Sequence, residues 1–198
     1  MKVRAPSTAA SSRRGPILEA AKGVFLRYGL KKTSMDDLAR AAGLSRQGLY
    51  LHFETKEELF KAVTYELIAT TRAAVKASLT ADAHDVETRL FGAFDAAHGQ
   101  GVGQLESEHL DELFAAAAVY LGDAVNEVDE ALVSEVARVL RTTGVAAHWK
   151  DAGLSATDLA QTLHAVSKGL KHGVKSRDAY RDAMRNAVRL VCRGGARG

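Results

Sequence analysis

A short segment at residues 44–60, LSRQGLYLHFETKEELF, carries side chains that can hydrogen-bond to the edges of nucleic-acid bases. The polar members spaced to face solvent are Arg46, Gln47, Tyr50 and His52. An arginine presents paired donors that suit guanine, and a glutamine presents the donor and acceptor that suit adenine. Folding accounts for an inward-facing Leu49 but gives no reason to expose those four together. The segment therefore indicates a helix that reads the major groove, and the alternative is an ordinary solvated helix face.

Capping residues and a glycine mark the ends of the helices that must position this segment. Ser34 and Asp37 have the spacing of a capping box and predict a helix over about 35–42. Gly43 then permits the left-handed backbone that ends a helix. Ser45 is placed to cap the next helix, which we expect to run to about residue 52. Two short helices joined by a glycine-containing turn predict a helix-turn-helix.

The remaining chain has helical periodicity and no strand signal, so the predicted fold is all-α. Pro16 suits the first turn of an N-terminal helix, which Gly29 ends. Residues 1–13 read as a flexible basic arm, and Arg13 and Arg14 are candidates to reach DNA from it. We place the helix-turn-helix domain at 14–56 and a helical domain at 57–198.

Charge separates these two regions. Up to Lys56 the chain has 11 basic and four acidic residues, a charge of +7, whereas the remainder has 16 basic and 20 acidic residues, a charge of −4. The basic N-terminal quarter indicates a polyanionic partner. Cys192 is the only cysteine, which excludes an internal disulfide and favours the cytoplasm. No apolar run approaches the roughly 20 residues that a membrane span needs.

The segment TSMDDLARAAGLSRQGLYLHFETKEELF resembles the DNA-binding domain of the TetR family of one-component transcriptional regulators. The resemblance covers residues 16–60 through the frame GLS…LYLHF…KEELF. It implies a three-helix N-terminal domain, a linking fourth helix, and a larger helical domain that binds a small molecule and dimerises. In such regulators the last two helices pair with those of a second subunit.

The resemblance also implies the DNA contacts. Thr33 would touch a phosphate, and Lys56, in the first turn of the fourth helix, would hold the backbone. The residues at or in the major groove would be Ser45, Arg46, Gln47, Gly48, Tyr50 and His52. Gly48 departs from the family, which often has threonine or alanine there. Because glycine costs about 1 kcal/mol of helix propensity, either the backbone approaches DNA closely or the helix is partly disordered until bound.

The ligand-binding candidates are the large aromatic residues and histidines of the C-terminal region: Phe91, Phe94, His98, Phe114, Tyr120, His148 and Trp149. The alternative for the aromatic residues is plain core packing. A pocket of this composition would favour an unidentified, largely apolar ligand. His109 is a further polar candidate.

Two terminal amphipathic helices supply the candidate dimer interface. The apolar residues that recur along them are Leu159, Leu163, Val166, Leu170, Tyr180, Met184 and Val188. This expectation favours a homodimer whose two recognition helices, one in each subunit, lie about 34–36 Å apart.

Other patterns carry weaker signals. Glu108, His109 and Glu112 have a spacing that can place metal ligands on one helix face, but acidic runs are commonly solvated, so no metal or cofactor is assigned. Cys192 is expected to be packing rather than a redox switch. The stretch GQGVG at 99–103 reads as a flexible connection, because no dinucleotide-binding pattern surrounds it.

These expectations combine into a sequence-specific transcriptional regulator, a repressor that a small molecule releases from a palindromic double-stranded operator. An enzyme is disfavoured because no nucleophile, base and orienting group occur together. A non-specific architectural DNA binder would spread positive charge over the chain, which the acidic C-terminal part opposes.

Overall fold

A computed structural model of the chain describes residues 8–81, 85–103, 107–122 and 124–194. Within those residues the chain forms nine α-helices and two short 3-10 turns. The helices are α1 (Thr8–Tyr28), α2 (Met35–Ala41), α3 (Arg46–Tyr50), α4 (Lys56–Leu79), α5 (Val86–Ala97), α6 (Ser107–Leu121), α7 (Ala124–Thr142), α8 (Ala156–Gly173) and α9 (Arg177–Arg193). The all-α prediction is confirmed.

The first helix begins earlier than its sequence indicates. It starts at Thr8, so Pro16 lies inside α1 rather than in its first turn, and the expected arm is already helical from Thr8 to Arg13. Residues 1–7 lie outside the described residues. Arg14 is therefore a helix residue, and its guanidinium lies 4.8 Å from the ring centroid of Phe53. This contact places Arg14 on the helical part of the N-terminal unit rather than on an arm.

The helix-turn-helix forms as its local signals predict. Ser34 and Asp37 make the capping box of α2, and Ser45 caps α3 by accepting the amide of Gly48 at 3.0 Å. Gly43 adopts a φ of +66°, which glycine tolerates without a side-chain clash. Leu49 is fully buried beneath α3, so the opposite face of that helix is turned to solvent. At five residues, α3 ends two residues earlier than expected.

The described chain separates into two compact units. The N-terminal unit comprises residues 1–68 and 106–123, and it therefore includes α6. Two contacts show why α6 belongs there: the Lys31 amide donates to Glu112 at 2.7 Å, and the rings of Phe60 and Tyr120 meet edge-on at 6.3 Å. This division differs from the expected boundary after residue 56, because the sequence carries no signal for α6 packing on the first domain.

The C-terminal unit comprises residues 69–105 and 124–198. Its core is built by α5, α7, α8 and α9 around fully buried Phe94, Leu140 and Tyr180. Ser155 and Asp158 form a second capping box that starts α8. Burying apolar surface at about 25 cal/mol per Å² stabilises such a unit without metals or disulfides.

The GQGVG stretch is packed rather than flexible. Gly99–Gly101 forms a 3-10 turn directly after α5, and both Gly99 and Val102 are buried. A Cβ added to Gly99 would lie 2.9 Å from the ring of Tyr180, so glycine is required by close packing. The turn thereby fixes His98, the residue between α5 and the turn, inside the C-terminal unit.

Candidate functional site

The exposed face of α3 in the N-terminal unit is a candidate nucleic-acid interface. Arg46, Gln47 and Tyr50 are exposed on it, and His52 is half-buried just beyond it. The hydroxyl oxygen of Ser45 is used as the helix cap. These placements agree with a short, capped helix that presents donors and acceptors to solvent.

Arg46 is held in a defined position on this surface. Its guanidinium lies 3.1 Å from the carboxylate of Asp36 in α2 and 3.4 Å from the hydroxyl of Tyr50. It also lies 5.7 Å from the centroid of the Tyr50 ring. Because both side chains of the ion pair are more than half exposed, the pair contributes little to stability. It does orient the guanidinium before any partner arrives.

Leu51 is a surface residue that the sequence reasoning did not single out. Its side chain is 87% exposed, next to Tyr50 at the end of α3. An apolar side chain in this place can contact the methyl group of thymine. The signal was present, since Leu49 and Phe53 both point inward and leave position 51 outward.

Lys56 and Thr33 are placed differently from the expected phosphate contacts. The ammonium of Lys56 donates to the backbone carbonyls of Leu30 at 3.0 Å, Lys31 at 3.3 Å and Thr33 at 3.0 Å. An ammonium has three donors, so all of them are used within the protein. The Thr33 side chain is buried, and its hydroxyl donates to the carbonyl of Gly29 at 2.5 Å. Both side chains therefore brace the α1–α2 connection.

Gly48 lies within regular α3 rather than in a distorted segment. A Cβ added there would be 3.2 Å from Oγ of Ser45 and 3.8 Å from Cβ of Leu44. Glycine thus leaves room for the capping hydroxyl. Room for this hydroxyl is a third explanation for glycine at position 48, besides close approach of the backbone to DNA and partial disorder of the helix before binding.

A second candidate site is a buried polar cluster in the C-terminal unit. Nδ1 of His98 lies 2.7 Å from Oγ of Ser167, which lies 2.6 Å from the hydroxyl of Tyr180. That hydroxyl donates to the carbonyl of Phe94 at 3.0 Å. His98, Ser167 and Tyr180 are each at most 8% exposed. A continuous hydrogen-bonded chain therefore crosses the core from α5 to α9.

Asp129 joins this cluster from α7. Its carboxylate lies 2.7 Å from the ammonium of Lys168, 3.2 Å from Nε2 of His164 and 3.8 Å from Nε2 of His98. The neighbouring His98 imidazole, together with the Lys168 ammonium and His164, holds the pKa of Asp129 far below its ordinary value despite partial burial. Burial lowers the pKa of His98, and Lys171 and His164 add to the effect while Asp129 opposes it. The carboxylate is thus ionised and His98 neutral near pH 7.

The pH dependence of stability follows from His98. Its pKa is lower in the folded protein than in the unfolded chain, so acidification protonates the unfolded state first. We expect the free energy of unfolding to fall as the pH drops from about 7.5 to about 5.5. Urea denaturation in buffer that contains a chelator, so that no metal ion is bound, measures this change. The depressed pKa of Asp129 acts only below about pH 4, where unfolded aspartate gains its proton.

Two variants isolate the contribution of His98. His98→Asn should flatten the pH dependence, whereas His148→Asn, which removes an exposed histidine of the same unit, should leave it unchanged. An identical slope in the wild type and His98→Asn would contradict the assignment.

The expected ligand-binding residues are not brought together. Phe114 and Tyr120 belong to the N-terminal unit, where they are 45% and 38% exposed. The others lie in the C-terminal unit: Phe91, Phe94, His98, His148 and Trp149. Phe94 is core, and the indole of Trp149 donates to the carbonyl of Val191 at 2.8 Å. Of these, His98 lies in the polar cluster.

Most of the expected dimer residues are packed inside their own chain. Those at most 3% exposed are Leu159, Leu163, Tyr180, Met184 and Val188. Their assignment to an interface is corrected, because the periodic stripe faces the core of the C-terminal unit. Leu170 is half-buried, while Val166 is 37% exposed and Leu190 is 69% exposed.

The remaining sequence candidates have ordinary local environments. The side chain of Glu108 lies outside the described part of the chain, and Glu112 accepts the Lys31 amide. Burial raises the pKa of Cys192 to about 11, with help from Glu87 and Asp85. Such a thiol carries little reactive thiolate near neutral pH.

Comparison with known proteins points to one family. The family model for bacterial regulatory proteins of the tetR family matches residues 17–63. The repressor KstR2 of Rhodococcus jostii is 33% identical over 107 residues, which are 50% of this chain and 52% of that protein. Across the first curated relatives the chain spans between 24% and 52% of their length.

Solved structures share the fold over nearly the whole chain. A transcriptional regulator from Rhodococcus has a TM-score of 0.66 at 20% identity and covers 91% of this chain and 96% of its own. AibR, crystallised with isovaleryl coenzyme A and operator DNA, has a TM-score of 0.60 at 19% identity, over 88% and 96%. No helix within the described ranges is long and apolar enough to cross a membrane. Residues 17–63 thus match the family model for bacterial regulatory proteins of the tetR family, and the helical fold of the chain is similar to that of solved transcriptional regulators.

Proposed function

We propose that the protein is a cytoplasmic repressor that binds a palindromic operator as a homodimer and is released by a small molecule. The observation that carries the proposal is the exposed face of α3, which presents Arg46, Gln47, Tyr50 and Leu51 together. Side chains of these types read base edges and thymine methyl groups. The basic charge of the N-terminal region supplies the attraction to phosphate.

Release requires a ligand whose affinity differs between two arrangements of the dimer. Helix α4 runs without a break from Lys56 to Leu79 and contains residues of both units. A shift of this helix would change the separation of the two α3 helices in the dimer. That separation must match the spacing of successive major grooves, about 34–36 Å. A tenfold release needs about 1.4 kcal/mol of coupling.

The effector is proposed to bind in the C-terminal unit, with the buried polar cluster as its orienting group. AibR, named above, was crystallised with both an acyl coenzyme A and operator DNA. By analogy, we infer a ligand with a substantial apolar portion for this chain. Repression is chosen by analogy with KstR2, a repressor, whereas FasR of Mycolicibacterium smegmatis, 37% identical over 84 residues, is an activator.

The homodimer is proposed to form through the outer faces of α8 and α9. Val166 and Leu190 are exposed there, and a Cβ added to Gly169 or Gly173 would meet no atom within 4 Å. Small residues allow a partner helix to approach closely. These faces replace the buried stripe expected from the sequence.

Leu190→Glu should convert the dimer to monomers, because association would bury an unpaired carboxylate. Analytical ultracentrifugation measures the change. Val119→Glu is the matched control: Val119 is 78% exposed but belongs to α6 in the N-terminal unit. A dimer that survives Leu190→Glu and dissociates with Val119→Glu would place the interface elsewhere.

Selection of binding sites from random duplex DNA tests the main proposal. Full-length protein at near-physiological salt should enrich an inverted repeat, and the complex should contain an even number of subunits. Binding without sequence enrichment that vanishes as salt rises would instead indicate non-specific electrostatic association.

A further inference from the structure

Three potential metal ligands converge in the C-terminal unit from different parts of the chain. His98 follows α5, Asp129 lies in α7 and His164 lies in α8. One ligand atom from each residue lies within 4.8 Å of the other two. The sequence separates these residues by more than 30 positions, so only the packing of the helices joins them.

The proton positions in the adjoining chain fix the chemistry of His98. The Phe94 carbonyl can only accept, so it takes the single proton of the Tyr180 hydroxyl. The Ser167 hydroxyl must then donate to Tyr180, and its oxygen accepts from Nδ1–H of His98. A neutral His98 therefore carries its lone pair on Nε2. This nitrogen faces the Asp129 carboxylate at 3.8 Å, beyond hydrogen-bond distance.

The second histidine of the cluster, His164, also has a ring nitrogen without a hydrogen bond. Nε2 of His164 is buried and makes no hydrogen bond within the described residues, although it lies 3.2 Å from Oδ1 of Asp129. Two imidazole nitrogens and one carboxylate oxygen thus lie within 4.8 Å of one another. A cation among these atoms would be stabilised by the charge of the Asp129 carboxylate and by the lone pair on Nε2 of His98.

We propose that His98, Asp129 and His164 bind a divalent transition-metal ion of the zinc class. Two imidazoles and one carboxylate are a ligand set that zinc takes in proteins, with a fourth position left for water or another donor. The hydrogen bond from Nδ1 of His98 to Ser167 is the supporting contact that holds a metal-binding ring in orientation. The site shares His98 and Asp129 with the cluster proposed to orient the effector, but metal binding depends neither on that proposal nor on DNA binding.

Two features shape the expected affinity. Ligand atoms around tetrahedral zinc at about 2.1 Å are roughly 3.4 Å apart, so the side chains must close by about 1 Å from the observed spread. Lys168 holds the other carboxylate oxygen of Asp129, and Lys171 adds positive charge nearby. The Lys168 side chain is 52% exposed and can leave, so it acts as a competitor for the same carboxylate.

Titration of chelator-treated full-length protein with Co²⁺, followed by visible absorption, tests the site, and Zn²⁺ competition gives its affinity. One ion per subunit is expected, with the intense visible bands of a tetrahedral site. His164→Gln should weaken binding about tenfold or more, and Ser167→Ala by about tenfold. Lys168→Met should strengthen binding severalfold by removing the competing ammonium.

His148→Gln is the matched control, because it removes an exposed histidine from the same unit. It should leave Co²⁺ binding unchanged. No saturable binding in the wild type, or binding that His164→Gln leaves intact, would overturn the proposal. Asp129→Asn provides a second ligand variant of unchanged size should His164→Gln fail to fold.

Discussion

Replacing Lys56 with methionine is expected to lower the free energy of unfolding by about 2–3 kcal/mol. The ammonium donates to the carbonyls of Leu30, Lys31 and Thr33, and methionine offers them no donor. Hydrogen bonds to charged groups are worth about 1.5–3 kcal/mol, and partly buried carbonyls without partners add to the loss. Chemical denaturation followed by circular dichroism measures the change, and hydrogen exchange locates it in the α1–α2 connection.

The same variant distinguishes bracing from phosphate contact. If Lys56 only braces the fold, the slope of log affinity against log salt stays unchanged. A direct phosphate contact would instead reduce that slope by about one. Lys32→Met is the control, since it removes an exposed charge from the same connection and should leave stability within about 0.5 kcal/mol. A stable Lys56→Met protein with a reduced salt slope would restore the phosphate-contact interpretation.

Arg46→Ala is expected to cost about 1–3 kcal/mol of operator affinity, or roughly tenfold to a hundredfold. The loss should be concentrated at one base pair, where the variant no longer prefers one base. The physical reason is a bidentate contact that the pair with Asp36 and the stacking on Tyr50 orient in advance. Affinities for operators with single base-pair changes measure the effect.

Arg40→Ala is the matched control, because Arg40 is an exposed arginine on α2 paired with Asp37 at 3.6 Å. It should lower affinity equally for all sequences, if at all. An equal loss across all operators in Arg46→Ala would show that Arg46 contacts phosphate rather than a base. Combining Arg46→Ala with Asp36→Asn then measures how much the ion pair contributes to orientation.

Local features of the N-terminal unit could be predicted from the sequence. The capping box of Ser34 and Asp37, the left-handed Gly43 and the Ser45 cap all formed as expected. Each depends on residues within about four positions of one another. Hydrogen bonds of this range are decided by residue type and spacing, so the chain itself specifies them.

Contacts between distant residues were decided by the tertiary structure. Lys56 matches a family position, yet its ammonium is taken by carbonyls 23 to 26 residues earlier in the chain. Periodicity identified the apolar stripe of α8 and α9 but not its partner, which is the core of the same unit. His98, Asp129 and His164 carry no shared motif. A side chain's partners depend on how helices pack in space, and spacing along a helix specifies only which face it presents.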